Sequence, residues 1–259
     1  MSKHHLFDQV IFGPIRSRRL GLSLGVNLLP IDAKICSYNC IYCECGFNTT
    51  MNEFPLPKRE EVRIILEEKL QNMRAENALP DVITFAGNGE PTLHAEFEGI
   101  IDDTIALRNQ YCPEAKVSVL SNATRIHKEN IFRALNKVDN NILKFDTAIN
   151  STHQLLDQPQ SKLVTVEWLI AQLQRFESNL IIQTMFLRGE HMGQKFDNTT
   201  DIEVAAWLAA MEQIKPRTIM IYSLDREAPI ASLEKIGVEQ LHDIAAKARV
   251  RGFDVSVAG

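Results

Sequence analysis

Short apolar runs alternate with longer amphipathic stretches along most of the chain. Residues 58–76 place Val62 and Leu66 on one face of a helix and charged side chains on the opposite face, which predicts the first helix. Residues 81–86 form an apolar run between a proline and a glycine, which predicts a short buried strand. Further strands are predicted at 22–29, 116–120, 142–147, 180–184, 218–222 and 253–257, and further helices at 95–110, 128–137, 166–176, 202–214 and 238–251.

This alternation predicts the class of fold. Roughly six or seven βα units in series imply a mostly parallel sheet, either open or curled into a barrel. No internal repeat, low-complexity tract or linker divides the 259 residues, and a hydrophobic content of 45% is enough for one large core. We therefore predict an α/β protein with a single domain over residues 1–259, in which roughly residues 1–21 are an N-terminal extension and residues 22–259 form the core.

Composition narrows the class of protein further. The formal net charge is −5, so nothing global indicates a nucleic-acid surface, although a local basic patch is compatible with it. The first six residues contain no hydrophobic signal core, and no run of about 18 apolar residues indicates a membrane span. We therefore expect a cytoplasmic protein without a membrane partner.

Four of the five cysteines fall within ten positions. Cys36, Cys40 and Cys43 have the spacing C-x3-C-x2-C in a long loop (31–57), a pattern that fits metal ligation in a reducing compartment better than disulfides. Thiolates suit iron–sulfur clusters, zinc and copper(I). Because a cubane cluster has four iron corners, three cysteines leave one iron for an outside ligand, which indicates catalysis. The alternative is a structural zinc site that Cys45 completes.

Glycines and polar residues recur where the predicted strands end. The cysteine loop follows the first strand, Gly87 to Glu90 follow the second, and Ser121 and Asn122 follow the third. Asp146 and Gln183 lie at the ends of two later strands. Parallel sheets and barrels build their active sites at the carboxyl ends of the strands, so we expect these residues to share one edge.

The cysteine motif and the turn that ends in Glu90-Pro91 together resemble the radical S-adenosylmethionine superfamily. The resemblance implies a partial (β/α)6 TIM barrel of mostly parallel strands. It also implies that Cys36, Cys40 and Cys43 bind one [4Fe–4S] cluster and that S-adenosylmethionine chelates the fourth iron. One electron from such a cluster cleaves the sulfonium carbon–sulfur bond, and the 5'-deoxyadenosyl radical then abstracts hydrogen from the substrate.

The same resemblance assigns further cofactor contacts. Tyr42 matches the aromatic residue before the last cysteine, whose surroundings contact adenine. The segment Gly87-Asn88-Gly89-Glu90 resembles the turn that receives the methionine amino group, with Asn88 in place of the first glycine of that turn. Polar residues at later strand ends are implied to meet the methionine carboxylate or the ribose: Ser121, Asn122, Asp146 and Gln183.

Beyond these motifs, the chain resembles the Fe–S oxidoreductases grouped with the radical enzyme that forms the tricyclic wyosine base of tRNA. It differs from that enzyme because it shows no flavodoxin-like domain and no second three-cysteine motif. The electron donor is therefore expected to be a separate protein such as flavodoxin or ferredoxin, and pyruvate chemistry lacks an assigned lysine, with Lys144 only a candidate at a strand end. The resemblance is carried by GPIRSRRLGLSLGVNLLP, CSYNCIYCECG, FAGNGEPTLH, SNAT, KFDTA, IQTMFLRG and IYSLDREAP.

We therefore predict a radical S-adenosylmethionine enzyme whose substrate is open. An RNA base or another small heterocycle is one hypothesis, a protein or peptide modified by an activase is a second, and a non-catalytic zinc or iron–sulfur module is a third. Asp225 to Glu227 are candidates for substrate recognition. An RNA substrate requires a continuous basic path to the barrel mouth from Arg16, Arg18 and Arg19, whereas an acidic or closed mouth favours a small molecule or a peptide.

Overall fold

The chain folds into alternating strands and helices, as its hydrophobic pattern predicts. A computed structural model describes residues 5–17, 20–49, 55–226 and 228–258, so Arg18, Arg19 and Glu227 lie outside the described residues. The strands are β1 (Ile11–Ser17), β2 (Gly21–Val26), β3 (Val82–Phe85), β4 (Lys116–Ser121), β5 (Asn140–Lys144), β6 (Ile181–Met185), β7 (Leu187–His191), β8 (Gln194–Asp197), β9 (Thr218–Tyr222), β10 (Leu233–Lys235) and β11 (Val255–Ala258). The helices are α1 (Arg59–Ala75), α2 (Phe97–Tyr111), α3 (Glu129–Lys137), α4 (Asn150–Leu156), α5 (Val166–Leu173), α6 (Asp201–Ile214) and α7 (Val238–Val250).

One eight-stranded sheet organises the molecule. Its strand order is β1-β2-β3-β4-β5-β6-β9-β11, and β2 to β11 in this series run parallel while β1 pairs antiparallel with β2. The sheet curls into an open half-barrel, with helices crossing between successive parallel strands. The predicted α/β fold, a partial TIM barrel of mostly parallel strands, is confirmed.

The core lies between the sheet and its helices. In α1 the residues at helical spacing, Val62, Leu66 and Leu70, are at most 1% exposed, which is the face that the sequence pattern predicts. All four residues of β3 are buried, because this central strand is covered on both faces. The half-barrel is therefore a rigid support for the loops at its carboxyl edge.

Five elements escape the pattern: β1, β7, β8, β10 and α4. The strand β1 lies in the segment predicted to be an N-terminal extension, and it pairs with β2 across an irregular register between Phe12 and Ile15. The hairpin β7–β8 is largely polar and forms a separate small sheet with β10, so it has no apolar alternation to detect. The helix α4 has only seven residues, too few for a helical period to stand out.

Two features define the first parallel strand. At Gly25, where the sequence predicts a bend or a close approach, an added Cβ would lie 2.1 Å from the ring of Phe12, so the aromatic side chain occupies the space that a larger residue would need. The strand ends at Val26, earlier than predicted, because Asn27 closes a turn by bonding the backbone N–H and carbonyl of Leu29. The chain then turns into the cysteine loop.

Candidate active site

The cysteine loop is joined to the glycine turn after β3 by backbone hydrogen bonds. Ile35 N donates to the Asn88 carbonyl at 3.0 Å, and Glu90 N donates to the Ile35 carbonyl at 3.0 Å. Gly89 has a φ of +134°, and an added Cβ would lie 1.7 Å from the Ile35 oxygen. Only glycine fits this contact, so two stretches that are about fifty residues apart in sequence become one surface.

Asn88 is fully buried and connects three segments of this edge. Its side-chain oxygen accepts from Phe7 N at 2.8 Å, and its amide nitrogen donates to the carbonyls of Phe7 and Pro30 at 2.9 and 2.8 Å. Its own backbone N–H donates to the Asn27 side chain. The side chain that replaces the first glycine of the motif therefore serves the local fold.

Glu90 lies at the centre of a buried hydrogen-bond network. Its Oε1 accepts from the N–H and hydroxyl of Thr92 at 3.1 and 2.5 Å and from Ser121 Oγ at 2.8 Å, while Oε2 accepts from Asn122 N at 2.7 Å. Burial raises the pKa of Glu90 above its usual value, although each of these donors lowers it. The carboxylate thereby fixes the ends of β3 and β4 relative to each other, and Oε2 retains an acceptor position.

Asn122 extends the network to the first cysteine. Its amide nitrogen donates to Cys36 Sγ at 3.3 Å and to Ser37 Oγ at 2.9 Å, and its oxygen accepts from the N–H and hydroxyl of Thr124. Asn122 is only 7% exposed. The structure thus brings the predicted residues Ser121 and Asn122 against both the glycine turn and the cysteine loop.

The three motif cysteines lie close together in this edge. Burial, reinforced by the charge of Glu90, raises the pKa of Cys36 to about 12, and burial raises that of Cys40 well above its ordinary value. A hydrogen bond from Cys45, assisted by Lys34, lowers the pKa of Cys43 to about 6. The charge of Cys43 also raises the pKa of Cys36 and of Cys40.

Three thiols in one loop can bind an iron–sulfur cluster or a single metal ion. Ligands of one zinc ion must approach one another closely, at about 3.8 Å for sulfurs bound at 2.3 Å in a tetrahedron. Among the described residues, no three Cys, His, Asp or Glu side chains form a group able to hold one ion. Three thiolates can bind three corners of a cubane cluster, whereas a tetrahedral zinc site would need Cys45 as its fourth ligand.

Lys34 gives a second test of this fit. Lys34 is 2% exposed, its Nζ donates to the Gly46 carbonyl at 2.6 Å, and its charge interacts with that of Cys43. In the described part of the chain no carboxylate pairs with it. A buried ammonium needs an anionic partner, and a cluster carrying three thiolates is one. Sequence reasoning missed Lys34 because a single lysine in a loop follows no pattern; its position two residues before Cys36 was the only signal.

A second buried network lies at the ends of β5 and β6. The Tyr42 hydroxyl and the Lys144 ammonium both contact Asp146 Oδ2, and Asp146 Oδ1 accepts from Met185 N at 2.9 Å. Lys144 also pairs with Asp157 at 2.9 Å and stands 4.4 Å above the ring of Tyr42. Burial raises the pKa of Asp146 to about 6, while Lys144 opposes that shift. Both oxygens of Asp146, the predicted ribose contact, are thus engaged within the protein.

Asp157 and Gln183 complete the picture of this side. The Asp157 carboxylate lies 2.9 Å from His153 Nδ1, within hydrogen-bond distance. Neither residue belongs to a sequence motif. Gln183 donates to the Tyr222 hydroxyl at 2.7 Å, and its own oxygen is buried without a hydrogen-bond partner among the described residues. Gln183 therefore lies in the barrel with an acceptor that a bound molecule could use.

A cavity of about 300 Å³ is lined by residues of β1 to β4, by Glu44 of the cysteine loop and by the segment after β9. Its wall includes the stacked rings of Phe7 and Phe12, whose centroids are 3.8 Å apart. Arg226 pairs with Glu44 at 2.8 Å across its rim. The charged residues that line the described part of the cavity are Arg16, Glu44, Asp225 and Arg226.

Other cysteines and histidines have local roles in the structure. Cys45 Sγ lies 3.5 Å from the Gly87 carbonyl oxygen, which adds a contact between the cysteine loop and the glycine turn. Cys112 is buried at the end of α2. His94 is buried, with Nε2 2.8 Å from the Pro57 carbonyl. Within the described ranges, no helix combines the length and the apolar character that a membrane span requires.

The curled parallel sheet is similar to the fold of solved radical SAM enzymes. The structure resembles a radical SAM methyltransferase from Sphaerobacter thermophilus, with a TM-score of 0.66 over 91% of this chain and 65% of that one, at 12% identity. It also resembles TYW1 with a lysine–pyruvate adduct bound, with a TM-score of 0.59 over 88% of this chain and 73% of that one, at 13% identity.

The chain belongs to the UPF0026 family. A UPF0026 protein from Helicobacter pylori is 30% identical over 224 residues, which are 84% of this chain and 67% of that protein. A comparison with models of protein families gave no match. The matched residues span about two thirds of that relative's length.

Proposed function

We propose that this protein is a radical S-adenosylmethionine enzyme in which Cys36, Cys40 and Cys43 hold one [4Fe–4S] cluster and S-adenosylmethionine is the ligand of the fourth iron. The proposal includes one radical SAM domain over the whole chain. When bound, the reduced cluster would supply one electron to cleave the sulfonium bond and yield a 5'-deoxyadenosyl radical that takes hydrogen from the substrate.

The observation that carries this proposal is the joining of the cysteine loop to the glycine turn through Ile35 and Gly89. It sets three thiols beside a turn whose carbonyls and Glu90 carboxylate are acceptors suited to an ammonium group. Ser121 donates to Glu90 and Asn122 donates to Cys36. The protein groups that would receive the amino acid part of S-adenosylmethionine are therefore already held in position.

Tyr42, Gln183 and Asp146 are the other residues predicted to contact the cofactor. Tyr42 is fixed by Asp146 and Lys144, so its ring forms a rigid wall next to Cys43, where the adenine would lie. Gln183 offers its unpartnered oxygen to a ribose hydroxyl or to the substrate. Asp146 orients Tyr42 in this proposal, because its oxygens are already used.

The charges and the volume of the 300 Å³ cavity favour a small polar substrate. Within the described residues, Arg16 and Arg226 are balanced by Glu44 and Asp225, so the rim has mixed charge, and a phosphate backbone favours a surface of one sign. Its volume of about 300 Å³ and the Phe7–Phe12 stack suit a heterocycle of nucleobase size. We propose a small heterocycle as the substrate, and a flavodoxin or ferredoxin as the separate reductant.

The cofactor chemistry is tested by product formation. The protein is reconstituted anaerobically with iron and sulfide and then incubated with dithionite and S-adenosylmethionine, and 5'-deoxyadenosine is measured by chromatography. We expect product from the wild type and a loss of at least 100-fold in Cys40→Ala, whereas Cys112→Ala, which removes a distant buried thiol, should retain activity. A cluster-loaded wild type that gives no product contradicts the proposal, as does tetrahedral zinc with no iron after reconstitution.

The substrate is tested in cells. Metabolites and tRNA nucleosides from cells with and without the gene are compared by mass spectrometry. Loss of one modified small heterocycle supports the proposed substrate class. A change confined to a tRNA nucleoside contradicts it in favour of RNA, and a change confined to a peptide or protein residue favours the activase hypothesis.

A further inference from the structure

Lys34 is buried in the cysteine loop and is held there by the loop itself. Its Nζ donates to the Gly46 carbonyl at 2.6 Å, and its backbone N–H and carbonyl bond the side chain and backbone of Thr49 at 3.3 and 3.0 Å. The loop that carries the three cysteines therefore closes around the ammonium group. A side chain held at both ends in this way has a fixed position relative to the sulfurs.

Lys34 lies two residues before Cys36, and the Gly46 residue that holds its Nζ donates its N–H to the Cys43 carbonyl at 2.8 Å. Its charge interacts with those of Cys43, Cys36 and Cys40, and it forms no ion pair with a carboxylate in the described part of the chain. Lys144, the other buried lysine of this edge, has two aspartate partners instead. Because an isolated buried charge is unfavourable, the position of Lys34 makes sense only beside a group with net negative charge.

We propose that Lys34 is the counter-ion of the iron–sulfur cluster and raises its reduction potential. This inference rests on the proposed function, because it requires the cluster on Cys36, Cys40 and Cys43. Lys34 does not bind iron; it is a positioning residue whose charge acts on the cluster through space.

The physical reason is the change of charge on reduction. The one electron that a separate reductant delivers makes the cluster more negative, so a fixed ammonium group stabilises the reduced form more than the oxidised form. Burial strengthens this effect, because water screens the charge poorly at a side chain that is 2% exposed. Protein charges and hydrogen bonds near the sulfurs are known means of tuning such potentials.

The test is a redox titration of the reconstituted protein, followed by the electron paramagnetic resonance signal of the reduced cluster. The variants are Lys34→Met, which keeps the length of the side chain without its charge, and Lys34→Arg, which keeps the charge. Lys116→Met is the matched control, since it removes one lysine charge from the start of β4 at the opposite edge of the sheet. Iron and sulfide content and circular dichroism are measured for each variant.

We expect Lys34→Met to raise the ratio of oxidised to reduced cluster at least tenfold at the wild-type midpoint potential, which is 59 mV for a one-electron couple. Lys34→Arg and Lys116→Met should change that ratio less than threefold. If Lys34→Met folds but assembles no cluster while Lys34→Arg assembles one, the counter-ion role is also supported.

Two outcomes overturn the inference, and they are distinguishable. Equal potentials in Lys34→Met and the wild type, at equal iron content, refute the role of Lys34 and leave the proposed function intact. Loss of the cluster in both Lys34 variants with the fold retained shows that shape, and not charge, is needed. A wild type that binds no cluster refutes the proposed function itself and this inference with it.

Discussion

Asp139 at the amino edge of the half-barrel differs in burial and in pKa from Glu90 and Asp146 at the carboxyl edge. At the amino edge, Asp139 precedes β5 and accepts from Val117 N and from Arg108, both at 2.8 Å, while remaining 30% exposed. At the carboxyl edge, Glu90 and Asp146 are at most 2% exposed. Burial would raise the pKa of all three, but at Asp139 the two donors outweigh it and its pKa lies below the usual value, whereas Glu90 and Asp146 remain raised.

The amino edge has contacts that stabilise the fold, whereas the carboxyl edge has the features of a functional site. At the amino edge, polar groups are paired where water still reaches them, so each contact stabilises the fold modestly. At the carboxyl edge, the surrounding network holds buried charges, a glycine in a crowded turn, and a buried lysine that has no carboxylate partner among the described residues. Such an arrangement costs stability and is typical of a preorganised site.

The largest effect should come from the buried ion pairs of the carboxyl edge. Replacing Lys144 by Met leaves Asp146 and Asp157 buried without a cation, and breaking such a pair costs about 3–5 kcal/mol of unfolding free energy. The control is Lys137→Met at the end of α3, where the pairs with Asp102 and Glu98 are exposed and worth about 0–1 kcal/mol. Urea denaturation measures both, and equal losses would show that the two edges do not differ.

The next effect tests the contact between the cysteine loop and the glycine turn. In Gly89→Ala the new Cβ would lie 1.7 Å from the Ile35 carbonyl, so the two segments must separate, at a cost of about 2–3 kcal/mol. We expect a matching loss of iron content after reconstitution and at least tenfold weaker binding of S-adenosylmethionine, measured by calorimetry.

Gly237→Ala is the control for that prediction. Gly237 precedes α7 with a φ of −63°, and an added Cβ meets nothing within 4 Å. This variant should bind iron and S-adenosylmethionine as the wild type does. Normal cofactor binding by Gly89→Ala would mean that the joined turn does not form the site.

The smallest effect belongs to the amino edge. Asp139→Asn should lower the unfolding free energy at pH 7 by about 1 kcal/mol, because the hydrogen bonds of the carboxylate are partly exposed. Since the folded-state pKa of Asp139 is lowered, its contribution is present above the usual pKa of 3.8 and is lost as the pH falls below it. The stability difference between wild type and variant should therefore shrink from pH 5 to pH 2 in urea titrations. A stability difference that grows towards low pH would mean that folding raises the pKa of Asp139, which would contradict this prediction.

Much of the fold follows from the hydrophobic pattern. The central strands and the long helices have strong periods, and the predicted α1 and β3 lie within a residue or two of their observed bounds. The pattern misses β7 and β8 because both strands are short and mostly polar, without an apolar alternation. It also misses β1. In that strand Phe12 stacks on Phe7 and packs against β2 at Gly25, so the strand is recognised only from its pairing with β2.

The candidate site was predictable to the extent that its residues follow motifs. The cysteines, Glu90, Ser121 and Asn122 meet at one edge, as strand ends predict, and their cofactor roles remain a prediction. Lys34 and Asp157 could not be found from the sequence, because their importance comes from burial and from the partners that folding provides. The sequence also does not show that Asp146 is engaged within the protein, because its contacts with Lys144 and Tyr42 form only in the fold.

The central claim is that an outside amino acid takes the fourth iron. It is tested by electron–nuclear double resonance of the reduced, reconstituted protein with S-adenosylmethionine labelled with ¹⁵N in the amino group and ¹⁷O in the carboxylate. We predict that both labels couple to the cluster in the wild type and equally in Cys45→Ala. A cluster that shows no coupling to either label and that Cys45→Ala fails to assemble would contradict the account, because all four ligands would then come from the protein.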